Sequence, residues 1–155
     1  MGNGLRFTSE AALPSRMRDL LAAQRERDGT APIVIVIEAR TPTMNVWQRL
    51  HWSQRQKLGR EFATLIALAC QRRPATPLAK CTITIERYSP KNPDRDGRYG
   101  GVKPVLDALQ PLSKRHPYGL GFIEDDNDDC VTDLKVLHVK SSLKRTRITI
   151  TPVLT

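Results

Sequence analysis

Cys81-Thr82-Ile83-Thr84-Ile85-Glu86 alternates apolar and polar side chains, and beyond the loop from Ser89 to Gly97 the chain turns at Gly100-Gly101 into Pro104-Val105-Leu106-Asp107-Ala108-Leu109. Successive side chains of an extended chain point to opposite faces, so the first segment reads as a strand with one face buried. Proline suits the first turn of a helix, where its missing N–H costs no hydrogen bond, so the second segment reads as a helix running to about Lys114. A strand followed by a loop and a helix sets the expectation of a mixed fold, with the loop between them as the place to look for chemistry.

Upstream, Ser53-Gln54-Arg55-Gln56 has the form of a capping box, and Leu58, Phe62, Leu65 and Ala69 follow at helical spacing; a helix is predicted over 53–72, closed by Pro74 and Pro77. Pro32-Ile33-Val34-Ile35-Val36-Ile37 is nearly all β-branched and reads as a strand buried on both faces. Thr41-Pro42-Thr43 breaks that strand and opens a loop through Asn45 to His51-Trp52, whose polar and aromatic content suits a ligand-facing surface; the two tryptophans themselves are expected to pack. Downstream, residues 131–140 and 146–153 read as strands around a polar turn from Ser141 to Arg145. The expected architecture is α+β, one domain over residues 32–155 with a mixed sheet of about four strands and two main helices. Residues 1–31 read as an N-terminal extension, partly helical or flexible, in which Met17, Leu20 and Leu21 share a face of a weakly amphipathic stretch from Ser9 to Arg27.

Composition narrows the function. No apolar run approaches the roughly 20 residues that span a bilayer, and no charged-then-apolar leader is read at the N-terminus, so no membrane partner and a cytoplasmic location are expected. Cys70, Cys81 and Cys130 are odd in number and widely spaced, which fits buried, reduced thiols rather than a disulfide framework or a zinc site. His51, His116 and His138 stand apart from any Cys, Ser or acidic partner at motif spacing, which argues against triad chemistry. The net charge of +9 favours a polyanionic partner, because Lys and Arg gain free energy by displacing counterions from phosphates. Residues 32–88 carry nine basic and three acidic side chains, whereas all nine acids of residues 89–155 fall between Asp94 and Asp133. So dense an acidic cluster on a basic protein that meets phosphates calls for metal ions to neutralise it.

Within that cluster Asp94 and Asp96 are two apart, so that in an extended segment both carboxylates face the same side and can share one cation, although Asp-x-Asp is also a common turn former in loops. Glu124-Asp125-Asp126-Asn127-Asp128-Asp129 forms a second acidic group; Asp125, Asn127 and Asp129 fit the opening of a calcium loop, but Cys130 stands where glycine is needed and Val136 where glutamate is, and that reading is rejected. Between the two groups Lys103 and Asp107 are an i, i+4 pair, which reads either as a solvent-exposed ion pair or as a cation at the start of a helix that could hold a phosphate beside a metal.

The order Asn92-Pro93-Asp94-Arg95-Asp96-Gly97-Arg98-Tyr99-Gly100-Gly101-Val102-Lys103-Pro104-Val105-Leu106-Asp107-Ala108-Leu109, then Gly119-Leu120-Gly121-Phe122-Ile123-Glu124-Asp125-Asp126, resembles the RusA family of Holliday junction resolvases, whose phage-type members read D-x-D-N-x-x-G-G-x-K-P-x-x-D-A-L and then G-x-I-x-D-D. The opening strand, Pro42, Asn45, His51-Trp52 and the basic helix are similar to the family's opening segment, so the resemblance covers about residues 33–153. It implies that Asp94, Asp96 and Asp126 are the catalytic, metal-binding carboxylates, that Lys103 is the catalytic lysine, and that Asp107 and Asp125 stand just behind them. The implied activity is paired phosphodiester cleavage of four-way DNA junctions in recombination and repair, by a homodimer in a bacterial or phage setting, with Mg²⁺ as cofactor and Mn²⁺ as a substitute. Two identical sites on a two-fold axis match the approximate symmetry of such a junction. Mg²⁺ would supply charge neutralisation and an activated water. Asn45, Arg55, Lys57, Arg95 and Arg98 are the candidate DNA contacts, within a basic segment from Arg40 to Arg87 expected to track phosphates. The chain departs from the pattern at Gly97, where the family has Asn, and this keeps open the reading of a non-catalytic branched-DNA-binding accessory protein; a broader branched or flap DNA nuclease is a further alternative.

Overall fold

The computed structural model describes residues 12–27 and 29–154. Its contacts divide the chain into one unit ending at Ala31 and another running from Pro32 to Thr155. The first contains helix α1, Ser15–Arg27. Met17, Leu20 and Leu21 lie on it and are all exposed; the expected start of this stretch at Ser9 is outside the described residues.

The second unit is a mixed α+β domain. Strands β1 (Ile33–Ile37), β2 (Cys81–Ser89), β3 (Val131–Lys140) and β4 (Arg145–Pro152) form one sheet in the order β1-β4-β2-β3. The pairs β1/β4 and β4/β2 are antiparallel, and β2/β3 is parallel. Register aligns Ile35, Ile148, Ile85 and Val136 in one row across all four strands, and none of them is more than 1% exposed. Rows of this kind fix register, because a slip by one residue would turn every isoleucine to the opposite face.

One strand differs from expectation. Strand β1 is an edge strand with Ile33, Ile35 and Ile37 buried but Val34 42% and Val36 40% exposed, not a strand covered on both faces. A β-branched run reports a pleated backbone and leaves open how many faces are covered. Strand β4 does not pair with β3, although only four residues connect them; the turn crosses the end of β2, where the Ser141 amide donates to the Ser89 carbonyl.

The long helix α3 (Trp52–Ala69) turns Gly59, Phe62, Ala63 and Ile66 inward. Its cap sits two residues before the expected one: His51 Nδ1 accepts from the Ser53 amide, and Gln54 Oε1 accepts from the His51 amide. Imidazole thus takes the role expected of the Ser53 hydroxyl. Trp52 then falls in the first turn and is 64% exposed, so it does not pack as expected, whereas Trp47 is half-buried. The expected loop before α3 contains helix α2 (Met44–Arg49), whose last carbonyls are held from outside by Arg55 donating to Trp47 and Gln48.

Helix α4 (Arg95–Gly100) replaces the second half of the expected acidic loop, and α5 (Lys103–Leu109) is shorter than predicted. Gln110 is extended, as a residue before proline prefers, and Pro111 bars continuation. The carbonyls that α5 leaves unpaired are taken up by the returning chain: Leu120 donates to Ala108, Phe122 and Ile123 to Leu109, and Gly121 to Gln110. A Cβ on Gly101 would overlap the Pro42 carbonyl oxygen, so the joint between α4 and α5 is closed by backbone against backbone. Cys81 and Cys130 are buried free thiols, as expected, and Cys70 is half-buried. Among the described residues no helix is long and apolar enough to cross a membrane.

Phe62 is 2% exposed within the central cluster. Phe62→Ala is therefore expected to lower unfolding stability by about 3–5 kcal/mol in urea titration; a loss under about 1 kcal/mol would contradict this packing.

Candidate functional site

The turn that carries Asp126 is built from its own side chains. Asp125 Oδ1 accepts from the Asp126 amide and Oδ2 from the Asn127 side chain, while Asn127 Oδ1 accepts from the Cys130 amide. Its two ends are anchored in the core by Phe122 and Ile123 on one side and Cys130 on the other, all at most 4% exposed. Leu78 ties the first end further, donating to Phe122 and accepting from Glu124. Asp125 therefore shapes the turn, and Asp126 is left to reach outward.

What it reaches is Lys103, at the start of α5. The ammonium stands 3.4 Å from Asp126 Oδ2 and 2.8 Å from Asp107 Oδ1. The contact with Asp107 is the shorter of the two ion pairs, and it draws on an Asp107 oxygen that is buried from solvent. His116 Nδ1 lies 3.9 Å from the same oxygen. The Lys103 side chain is 46% exposed, Asp126 30% and Asp107 15%, so the cluster opens to solvent at the ammonium and closes at Asp107. Burial by itself would lower the Lys103 pKa, but the carboxylates of Asp107 and Asp126 outweigh it and hold the ammonium above its ordinary 10.5. Tyr118 is pushed up as well, first by burial and then by Asp107.

Asp94 and Asp96 are arranged differently from the expected extended pair. Asp94 is the N-cap of α4, its Oδ1 accepting from the Gly97 amide at 2.7 Å, and Asp96 is an exposed residue in the first helical turn. Residues two apart on a helix do not face each other, so the two carboxylates no longer share one side by virtue of their spacing. Gly97 is part of this arrangement: a Cβ there would lie 2.7 Å from Asp94 Oδ1, and the carboxylate would have to shift. Among the described residues, no three His, Cys, Asp or Glu side chains are gathered so as to hold a metal ion. As placed, Asp94, Asp96 and Asp126 do not fit an ion's ligand shell.

The candidate DNA contacts fall into two groups. Arg55 and Arg98 spend their guanidinium groups on the fold, Arg55 as described and Arg98 by donating to Val136 on β3 and to Asn92 and Pro93 before α4. Asn45, Lys57 and Arg95 are exposed, with Arg95 lying 5.6 Å over the Tyr99 ring. His116 and Tyr118, beside Asp107, were not legible as site residues, because they come from an aperiodic loop between the motif blocks. No family model and no curated protein sequence matches the chain.

The Lys103 pairing has a measurable signature. A pKa raised on folding contributes stability that is complete below the unfolded value and is lost as pH rises through the folded value, so the pairing persists across neutral pH and fails only in strong alkali. Asp126→Asn and Asp107→Asn are each expected to lower the Lys103 pKa, followed by NMR of the Lys103 side chain. A value unmoved by both substitutions would exclude the pairing.

Proposed function

We propose that this protein is a DNA endonuclease acting on four-way junctions, with Asp94, Asp96, Lys103 and Asp126 as its working residues. The observation that carries the proposal is the 3.4 Å contact between Lys103 and Asp126. These residues stand 23 apart and belong to two separate blocks of the RusA-like pattern, and a solvent-facing ammonium held between carboxylates is a suitable partner for a scissile phosphate. The net charge of +9 supports a nucleic-acid substrate. Lys103 would orient the phosphate and stabilise charge developing on it, with Asp107 fixing the ammonium from behind. Mg²⁺ or Mn²⁺ as cofactor, and a homodimer that nicks two strands in concert, belong to the proposal through the resemblance. The carboxylates do not form a ligand shell as they stand, so the roles assigned are those of the protein's own side chains.

A second reading has a specific observation in its favour. Asp94 is committed to capping α4 on the Gly97 amide, which suits a protein that binds branched DNA without cutting it. Incubating a synthetic four-way junction with the protein and Mg²⁺ or Mn²⁺ separates the two. On the nuclease reading the junction is nicked, Lys103→Met slows nicking by about 10²- to 10³-fold, and Asp96→Asn abolishes it while junction binding in EDTA persists. Binding without nicking at any metal concentration would establish the accessory reading. Duplex, fork and flap substrates run in parallel report whether cleavage extends to branched DNA in general.

A further inference from the structure

Arg87, near the end of β2, is only 8% exposed, and its hydrogen bonds go to neutral groups: Nε donates to the Thr41 carbonyl and Nη1 to the Ser89 hydroxyl, each at 2.8 Å. Its Nη2 has no protein acceptor among the described residues. Burial lowers the Arg87 pKa, and the like charge of Arg40 nearby lowers it further. Arg40 is also bound only to carbonyls, those of Tyr88 and Leu143. Neither guanidinium forms an ion pair with a described carboxylate, although Glu38, just beyond the end of β1, and Glu86, beside Arg87 on β2, pair with Arg145 and Arg147. A buried charge without a counter-charge is costly, and a second like charge beside it raises that cost.

The two arginines line one cleft of about 490 Å³ together with Thr43, Ser89, Lys91 and Asn92. No acidic residue lines it, and the segment that forms one wall ends at Pro93, immediately before Asp94. A structural role for Arg87 explains its Nε and Nη1 bonds but leaves unexplained why its solvent-reached Nη2 stands beside a like-charged neighbour and a lysine in one cleft that no acidic residue lines. An anion in the cleft explains this grouping, and a phosphate group fits, since the N–H donors that the two guanidinium groups have not committed to the fold are charged and suited to its oxygens.

We propose that Arg40, Arg87 and Lys91 form a binding site for a phosphate group, separate from the Lys103 cluster. On the nuclease reading, upon which this choice of source rests, the group is a backbone phosphodiester of the DNA one or more nucleotides from the cut. The other source of the same chemistry is a small free phosphate.

The test uses the ¹⁵N-labelled full chain and two probes. Inorganic phosphate is titrated while the arginine Nε–Hε resonances are followed, with Arg40→Gln and Arg87→Lys providing assignments and Lys91→Ala testing the rim should an arginine variant fail to fold. The Arg40 and Arg87 resonances are expected to shift together and saturate, with phosphate affinity about tenfold weaker or more in Arg40→Gln. Junction binding is then measured in EDTA across a salt series, where loss of one phosphate contact lowers the log-log slope by about 0.9 on duplex arms. A lower slope in Arg40→Gln or Lys91→Ala identifies the DNA backbone as the source. Saturable phosphate shifts with an unchanged slope identify a small phosphate. Absence of both overturns the site. Neither measurement needs cleavage, so a protein that binds junctions through this cleft yet never nicks them fails the nuclease reading alone.

Discussion

The backbone of residues 120–123 closes the end of helix α5 by donating to the carbonyls of Ala108, Leu109 and Gln110. Most of what is distinctive in the domain depends on this clamp. A seven-residue helix is too short to stand alone, and its unpaired carbonyls would be costly in the core where Ala108, Leu109 and Gln110 lie. By satisfying them, the returning chain seats Phe122 and Ile123 beneath the helix and delivers the Asp125–Asp129 turn to one place. Lys103 at the start of α5 and Asp126 in that turn meet because both are fixed to the same short helix.

The second constraint is electrostatic. A basic chain has gathered its acids next to α4 and α5, and the contacts there show three different fates for them: Asp125 organises a turn, Asp94 caps a helix, and Asp107 and Asp126 hold an ammonium. Only the last pair has the form of a working site. The arginines divide likewise. Arg55 and Arg98 tie helices to their neighbours through carbonyls. Arg40 and Arg87 use carbonyls too, but line a cleft that no carboxylate lines. Surface charge alone would not distinguish these cases; burial and partner identity do.

Close backbone approach ties the two parts together. Gly101 leaves room for the Pro42 carbonyl, and Gly100 for the Met44 side chain, so the α4–α5 joint is pressed against the start of α2. The loop that opens the basic half of the domain is thereby held against the acidic half, and no larger residue at position 101 would preserve that contact.

What residue order alone determined is local and periodic. Alternation in Cys81–Glu86 marked a strand that is half-buried, helical spacing of Phe62 and its neighbours marked α3, and the placing of Pro104 marked the start of α5, because these signals arise between residues a few positions apart. The resemblance pointed to Lys103 and Asp126, and only the fold brings them, 23 positions apart, to 3.4 Å. Tertiary structure alone decided the strand order, the single covered face of β1, the use of His51 as a cap and the conversion of Asp94 from one of an extended pair into an N-cap. It also decided that Arg87 is buried against Thr41, a residue 46 positions away. The reason is common to all of these: whether a face is covered, or a charge is paired, depends on which distant segments arrive beside it, and no window along the chain contains that information.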